Sequence, residues 1–210
     1  MKRTTWMVTT LFAVTAARAS DLATTFHFDP SLSREVNPIV AQLGGDAKAL
    51  LLSNMIGVAV FLFIPLFWFW RCRSKRLTVS PTSLRDFASL LFYDRILPKW
   101  QLWSASLLGW PLPKDWSQVV RLWGFAGCWT VVFGGFLATF SWWAVSEWHW
   151  AWYQALRSAL APGNYPVIEL LACIPTFYVA AIVFVRTEYA EFRNRTADDV
   201  AQLSSKTNAA

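Results

Sequence analysis

The sequence predicts an all-α polytopic membrane bundle: four transmembrane helices with a short amphipathic helix at the interface. Three observations carry that prediction. First, three apolar runs, Leu50–Trp70, Leu122–Val145 and Val167–Val185, have no charged residue near their centres. A helix crossing a bilayer needs about 20 apolar residues at a rise of about 1.5 Å each, so each run is long enough. Second, the cations sit in short runs beside these spans rather than along one face. Third, 14 of the 210 residues are Trp, and they gather at the ends of the spans, where an amphipathic ring bridges tails and headgroups. The net charge of +6 therefore points to an anionic membrane surface. No nucleic-acid-binding motif is present, and nucleic acid is not an expected partner.

The number of spans depends on the N-terminus. Met1-Lys2-Arg3, the apolar run Trp6–Ala17 and then Ala17-Arg18-Ala19-Ser20 have the layout of a signal peptide cut after Ala19. The apolar character continues past Ser20 through Leu22, Ala23, Phe26 and Phe28, so an uncut first helix from about Thr5 to Phe28 is the expectation. Arg18 and Asp21 then lie one turn apart and neutralise each other. Cleavage leaves three helices instead of four. The chain divides into residues 1–48, the first helix or signal peptide with its outer loop; 49–70, a span; 71–120, a cytoplasmic interfacial segment; 121–145, a span; 146–166, an outer aromatic loop; 167–186, a span; and 187–210, a polar cytoplasmic tail.

Asp21-Leu22-Ala23-Thr24-Thr25 is followed by Glu35-Val36-Asn37-Pro38 and a new apolar helix. This order resembles an uncharacterised family of small bacterial membrane proteins with the pattern D-x-x-[ST]-T, a short loop with E-x-N-P, then a second helix. The likeness covers the first 70 or so residues. It departs at Ser33-Arg34, where the family has a glycine before its glutamate, and at Asn54, where the family often has a lysine. The resemblance implies a membrane location and an intact first helix. It implies no activity.

Orientation follows from the basic residues. Arg71, Arg73, Lys75 and Arg76 follow the second span, and Arg85, Arg95, Lys99, Lys114 and Arg121 lie in the same connection. The opposite loops carry only Arg34, Lys48 and Arg157. The positive-inside rule then places both termini in the cytoplasm of a bacterial inner membrane. Phe67-Trp68-Phe69-Trp70 marks the inner boundary, and Trp142, Trp143, Trp148, Trp150 and Trp152 mark the outer one.

Within the cytoplasmic connection, Pro81-Thr82-Ser83 is a helix start. Leu84, Phe87, Ala88 and Leu91 then form an apolar stripe at helical spacing, as in a helix lying on the membrane surface. Pro98–Trp116 places Trp100, Trp103, Trp110 and Trp116 among prolines and lysines. It is too short to span, so an interfacial or re-entrant segment is expected. In the third span, Ala126, Thr130, Gly134 and Ala138 repeat every four residues and allow close helix approach in lipid. In the last span, Pro175 removes a backbone hydrogen bond, and Thr176 is placed to satisfy a freed carbonyl. Glu169 falls near the outer end, where interfacial water is expected to reach it.

Chemistry is sparse. Cys72, Cys128 and Cys173 are far apart and odd in number, which fits neither a disulfide framework nor a zinc site. Cys128 and Cys173 read as small buried side chains and Cys72 as a free thiol, with palmitoylation the alternative. His27 and His149 would both lie at the outer interface, without ligand spacing. Interfacial hydrogen bonding is their expected role, no metal or cofactor is expected, and contact with a pigment, quinone or haem is the alternative. Asp21 is the most informative single residue, because intramembrane carboxylates are functional by default. With Thr24, Thr25, Glu35 and Asn37 it forms either a polar site for a cation or headgroup or a helix-end latch. These features favour an accessory subunit of a larger membrane complex, energy-transducing in the respiratory or photosynthetic sense, with other membrane subunits as partners. The rival readings are a small homo-oligomeric transporter or channel, and a membrane enzyme acting on lipid through Asp21 and Glu35.

Overall fold

The computed structural model describes residues 3–32, 46–72, 75, 77, 79–160 and 167–207. Regular structure among them is entirely helical: α1 (Arg3–Phe28), α2 (Ala47–Arg71), α3 (Leu84–Tyr93), α4 (Lys99–Leu108), α5 (Trp116–Ser146), α6 (Ala151–Leu160) and α7 (Val167–Thr207). Three of these are long and apolar enough to cross a membrane: α2, α5 and the Val167–Asp198 portion of α7. That places the chain among membrane proteins. α1 has 26 residues, enough length to cross, but its threonines, Arg18 and Asp21 lower its apolarity.

α5 is the hub. α1 runs parallel to it along its whole length: Trp6 packs on Phe125 at 4.8 Å and on Trp129 at 5.5 Å between ring centroids, Ser20 receives the Thr139 hydroxyl bond at 3.1 Å, and Phe28 stacks on Trp142 at 6.1 Å. Gly135 makes this approach possible, since a Cβ there would lie 3.0 Å from the Ala17 carbonyl oxygen. α7 lies antiparallel on another face, joined by Arg121–Glu188 at one end and Ser141–Glu169 at the other.

α2 meets α5 where both helices widen into a π-turn, Ala59–Phe63 in α2 and Trp123–Gly127 in α5. The cause in α2 is Pro65. It has no N–H to offer the Phe61 carbonyl four residues earlier, and the ladder opens. α5 supplies the missing donor: Trp123 Nε1 donates to Phe61 O at 2.8 Å, and the Cys128 thiol donates to Leu62 O at 3.7 Å. Gly124 sits directly on the proline, with the position of a Cβ only 2.1 Å from Pro65 O. In α7, Thr176 Oγ1 donates to Ala172 O at 3.1 Å, beside the turn that Pro175 weakens.

The connection between α2 and α5 is held by local polar contacts. Asp46, Ser83 and Asp115 cap α2, α3 and α5 by accepting backbone N–H bonds. Lys75 pairs with Asp94, which also faces Lys114 at 3.7 Å. Helix α3 has the predicted stripe, with a different partner: Phe87 is buried against Tyr189 and Phe192 of α7, at 5.2 and 5.7 Å. The stripe therefore faces protein. The residues read as an outer aromatic loop contain α6, and the tail continues as helix to Thr207.

Candidate functional site

Three polar clusters lie inside or against the bundle. The first holds the predicted site residue Asp21. Arg18 Nη1 donates to Asp21 Oδ2 at 2.7 Å, and Arg18 Nη2 donates to Asn54 Oδ1 on α2. Asn54 Nδ2 in turn donates to Leu50 O at 3.0 Å. Asn54 supplies the acceptor that Arg18 needs here. Thr24 is buried and donates to Ser20 O and Asp21 O, at 3.0 and 2.9 Å, while Thr25 is buried with its carbonyl accepting from Asp29 N at 2.8 Å. This geometry is that of a latch joining α1 to α2. Glu35, Asn37 and the whole E-x-N-P loop lie outside the described residues.

The second cluster is only faintly signalled in the sequence. Arg121 is fully buried between α2, α5 and α7, and its Nη2 donates to Glu188 Oε1 at 2.8 Å. Its Nη1 donates to Gln118 Oε1 at 2.6 Å. The guanidinium carbon stands 5.8 and 5.7 Å from the ring centroids of Phe69 and Phe184, which with Phe125 form an aromatic floor. Cation–π attraction and two charge-assisted bonds offset part of the desolvation. Sequence reading counted Arg121 as a loop cation, and it placed Phe69 in the interfacial belt. The available signal was Gln118 one helical turn before Arg121, just ahead of the apolar run.

The third cluster is at the opposite end of α5 and α7. Tyr153 on α6 donates to Ser141 Oγ at 2.9 Å, and Ser141 donates to Glu169 Oε1 at 2.5 Å. All three are buried, and Glu169 Oε2 accepts no hydrogen bond. Burial pushes the Tyr153 phenol up, which keeps it a donor at neutral pH. The expectation that interfacial water would hydrate Glu169 is therefore corrected. α6 folds over the end of α7 and leaves the glutamate 6 % exposed.

The small-residue stripe is used inside the chain. Ala126 is fully buried, Thr130 O faces the Cys173 thiol at 4.0 Å, and Gly134 leaves only 3.0 Å between a Cβ and Cys173 Sγ. Ala138 is half-buried on the same helix. The histidines are not brought together: His27 stacks on Trp143, at 6.2 Å, while His149 occupies the turn before α6 with φ +49°. Among the described residues, no three metal-ligating side chains gather. An open groove of about 560 Å³ lies on the C-terminal extension of α7, lined by Ser80, Pro81, Tyr189, Phe192, Arg193 and Thr196.

Comparison with known protein families, with curated proteins and with solved structures finds no match.

Proposed function

We propose that this chain is an accessory, structural subunit of a larger membrane complex in the bacterial cytoplasmic membrane, with four crossing helices and both termini inside. The observation that carries this reading is the long arm of α7. After its apolar portion ends near Val185 the helix runs on to Thr207, and it carries the open groove beside Arg193. A polar helix of that length has no reason to persist for the bundle's own sake beyond its packing on α3, but it suits a docking arm. The other polar groups join the helices of this chain to each other, as expected of a scaffold. The parallel pairing of α1 with α5, from Trp6 to Phe28, supports α1 as the fourth crossing helix. The exposed aromatic faces speak for an energy-transducing assembly, respiratory or photosynthetic, whose pigments, quinones or lipids would pack there.

The test is purification from the native membrane in mild detergent, with mass spectrometry of what co-migrates. A stoichiometric partner that is lost with Arg193→Glu and Thr196→Lys supports the docking arm. A lone monomer or homo-oligomer from wild type overturns the reading. The intact mass in the same experiment distinguishes a chain starting at Met1 from one starting at Ser20.

A second reading, a small transporter, is favoured by one observation: Glu169 is buried within an apolar bundle and one of its oxygens accepts nothing. Such a group is suited to taking up a cation in transit. Flux into liposomes that disappears with Glu169→Gln would favour it. The lipid-enzyme reading needs Asp21 beside Glu35. Asp21 is ion-paired with Arg18, and Glu35 lies outside the described residues.

A further inference from the structure

The segment between α3 and α5 leaves the cytoplasmic side, turns, and comes back. α4 begins after Pro98 and ends at Gly109, whose φ of +70° reverses the chain. An irregular strand, residues 110–114, then returns to Asp115, and Lys114 N and Asp115 N both donate to Phe92 O at the end of α3. How deep the turn lies is set by one contact: Tyr178 Oη of α7 donates to Ser106 O at 2.8 Å. Tyr178 is 9 residues past Glu169 and 10 before Glu188. At about 1.5 Å per residue it lies about 14 Å from one buried polar cluster and about 15 Å from the other. Those two clusters are themselves separated by about 28 Å on that rise, close to the roughly 30 Å of bilayer hydrocarbon. Ser106 therefore stands near the middle of the bilayer.

We propose that Pro98–Asp115 is a re-entrant hairpin immersed in lipid, filling the inner half of the bilayer and stopping near its midplane. Only the choice of leaflet rests on the topology proposed above. The occupant around the hairpin is lipid, for three reasons.

Irregular backbone is excluded from hydrocarbon unless its polar groups are satisfied, and at the tip the chain meets three of them itself. Trp110 O accepts from Ser104 Oγ at 2.7 Å, Gly109 N donates to Ala105 O at 3.1 Å, and Ser106 O is held by Tyr178. Pro111 and Pro113 have no N–H to satisfy.

The outward side chains are those lipid accepts. Trp100, Trp103, Trp110, Leu112 and Trp116 are all more than half exposed. In water this would be an apolar patch of unusual size for so short a segment.

The charges stand at the mouth and nowhere else. Lys99 opens the hairpin and Lys114 closes it, where long cationic side chains reach the headgroups and favour anionic lipid. Ten residues of helix and a short strand cannot cross, so the hairpin displaces lipid from one leaflet only and acts as a wedge.

The full chain, with Cys72, Cys128 and Cys173 replaced by Ser or Ala, is reconstituted in vesicles of phosphatidylethanolamine and phosphatidylglycerol. Nitroxides at Trp110→Cys and Lys114→Cys are compared by their collision rates with oxygen and with a water-soluble nickel chelate. The expected result is an oxygen-to-nickel ratio several-fold higher at 110 than at 114, and higher than at a label on Trp100→Cys near the mouth. Equal ratios at the three positions place the segment on the surface and overturn the proposal. In native membranes, a label at 110 reached by neither reagent would mean that protein covers the hairpin, and would also overturn it. If the cysteine-free chain does not fold, the wild type is compared with the fourfold Trp100→Phe, Trp103→Phe, Trp110→Phe, Trp116→Phe variant in vesicles brominated near the chain ends. A lipid-immersed hairpin requires the variant to lose part of the bromine-quenched emission, and an unchanged quenched fraction refutes it.

Discussion

Arg121 and Glu188, 67 positions apart in the chain, meet at 2.8 Å with both side chains closed to the outside. They join the N-terminal end of α5 to the point where α7 leaves its apolar portion, and so fix how far one helix is slid along the other. Ser141 and Glu169 fix the same antiparallel register at the opposite end. A pair with no access to water is not expected to be a large net source of stability, because desolvation cancels most of the attraction. Its value is positional: any other register leaves a charge unpaired in the bundle.

Removing one partner should therefore be far worse than removing both. Arg121→Met leaves the Glu188 carboxylate stranded, and Glu188→Leu strands the guanidinium. Each single change should cost about 3–5 kcal/mol. The double variant, with similar volume and no charge, should recover most of that loss. Thermal unfolding in detergent of wild type, both singles and the double closes the cycle. If the singles are as stable as wild type, the pair does not set the register.

Pro65 and Trp123 make a second pair that can be tested as a cycle. Trp123→Phe keeps the ring but leaves Phe61 O without its donor on an apolar, lipid-facing surface, at an expected cost of about 1–3 kcal/mol for an acceptor that water does not reach. Pro65→Ala returns an N–H to the helix ladder at the position where it can serve the same carbonyl. The damage from Trp123→Phe should then be smaller in the Pro65→Ala background, with an interaction energy outside the roughly 0.5 kcal/mol expected of independent sites. Strict additivity would show that the indole is only a packing group.

The glycines of α5 should rank by what a side chain would meet. At Gly124 the obstacle is the backbone of α2, with Pro65 O 2.1 Å from a Cβ. Gly124→Ala should sharply reduce folded yield. At Gly135 the obstacle is again backbone, Ala17 O at 3.0 Å, and at Gly134 it is the movable Cys173 thiol at 3.0 Å. Gly134→Ala should be mild, within the roughly 1–3 kcal/mol of overpacking, whereas Gly134→Leu should disrupt the α5–α7 contact. Size-exclusion profiles and melting temperatures give the order directly, and a Gly134→Leu protein of normal yield and unchanged size would refute it.

These relationships show where sequence reading stops. The three crossing helices were legible because an unbroken apolar run outweighs every local preference. Helix α3 was legible from Ser83 and the spacing of Leu84, Phe87 and Leu91, but what covers the stripe was not, since Tyr189 and Phe192 lie a hundred residues away. α6 was missed although Trp152, Tyr153, Leu156 and Leu160 fall within one arc of a helix, because the surrounding Trp density suggested a simple belt. The start of the polar tail, Glu188–Arg195, reads as an extension of the last helix into water, but the run on to Thr207 does not follow from local sequence. A polar helix takes its stability from packing, and packing on α3 is not written in local sequence. For the candidate site, Asp21 with Arg18 was readable from their spacing. Arg121, Glu188, Ser141 and Tyr153 were not, because each looks like an ordinary span-end residue until the helices are paired.

Acid should loosen the α3 end of the bundle first. Asp86 accepts from Thr82 Oγ1 at 2.6 Å and belongs to the Ser83 cap of α3, and these hydrogen bonds, with Arg85 alongside, hold its carboxyl below the usual range. Asp94 is held low by Lys75 and then Lys114. A carboxylate whose folded pKa is depressed contributes stability above its unfolded value, about 3.9, and that contribution is lost as pH falls through the folded value. Protection of α3 amides against hydrogen exchange should thus be flat from neutral pH down to about pH 4 and fall below it. In Asp86→Asn and Asp94→Asn together the acid step should vanish, and an undiminished step would assign it elsewhere.

At the C-terminal end of α5, the chain from Tyr153 through Ser141 to Glu169 is directional, and the three removals should differ for that reason. Ser141→Ala deletes the middle of the relay. Glu169 Oε1 is then left with only the 3.4 Å approach of Tyr153, and the expected cost is about 1–3 kcal/mol, or more if the carboxylate is charged. Tyr153→Phe leaves the short Ser141–Glu169 bond intact and removes only a donor to the serine oxygen, so it should cost about 1 kcal/mol. It should also loosen α6, because that phenol is one of its polar ties to the bundle, beside Gln154 Nε2 donating to Val145 O at 2.9 Å. Glu169→Gln keeps an acceptor for Ser141 and removes the carboxylate, and should be the mildest of the three. Melting temperatures of the three variants test the order, and limited proteolysis within α6 separates loosening of that helix from loss of the whole fold. Should Glu169→Gln prove the most damaging, the carboxylate itself, rather than its hydrogen bond to Ser141, would be what holds the C-terminal end of α5 to α7.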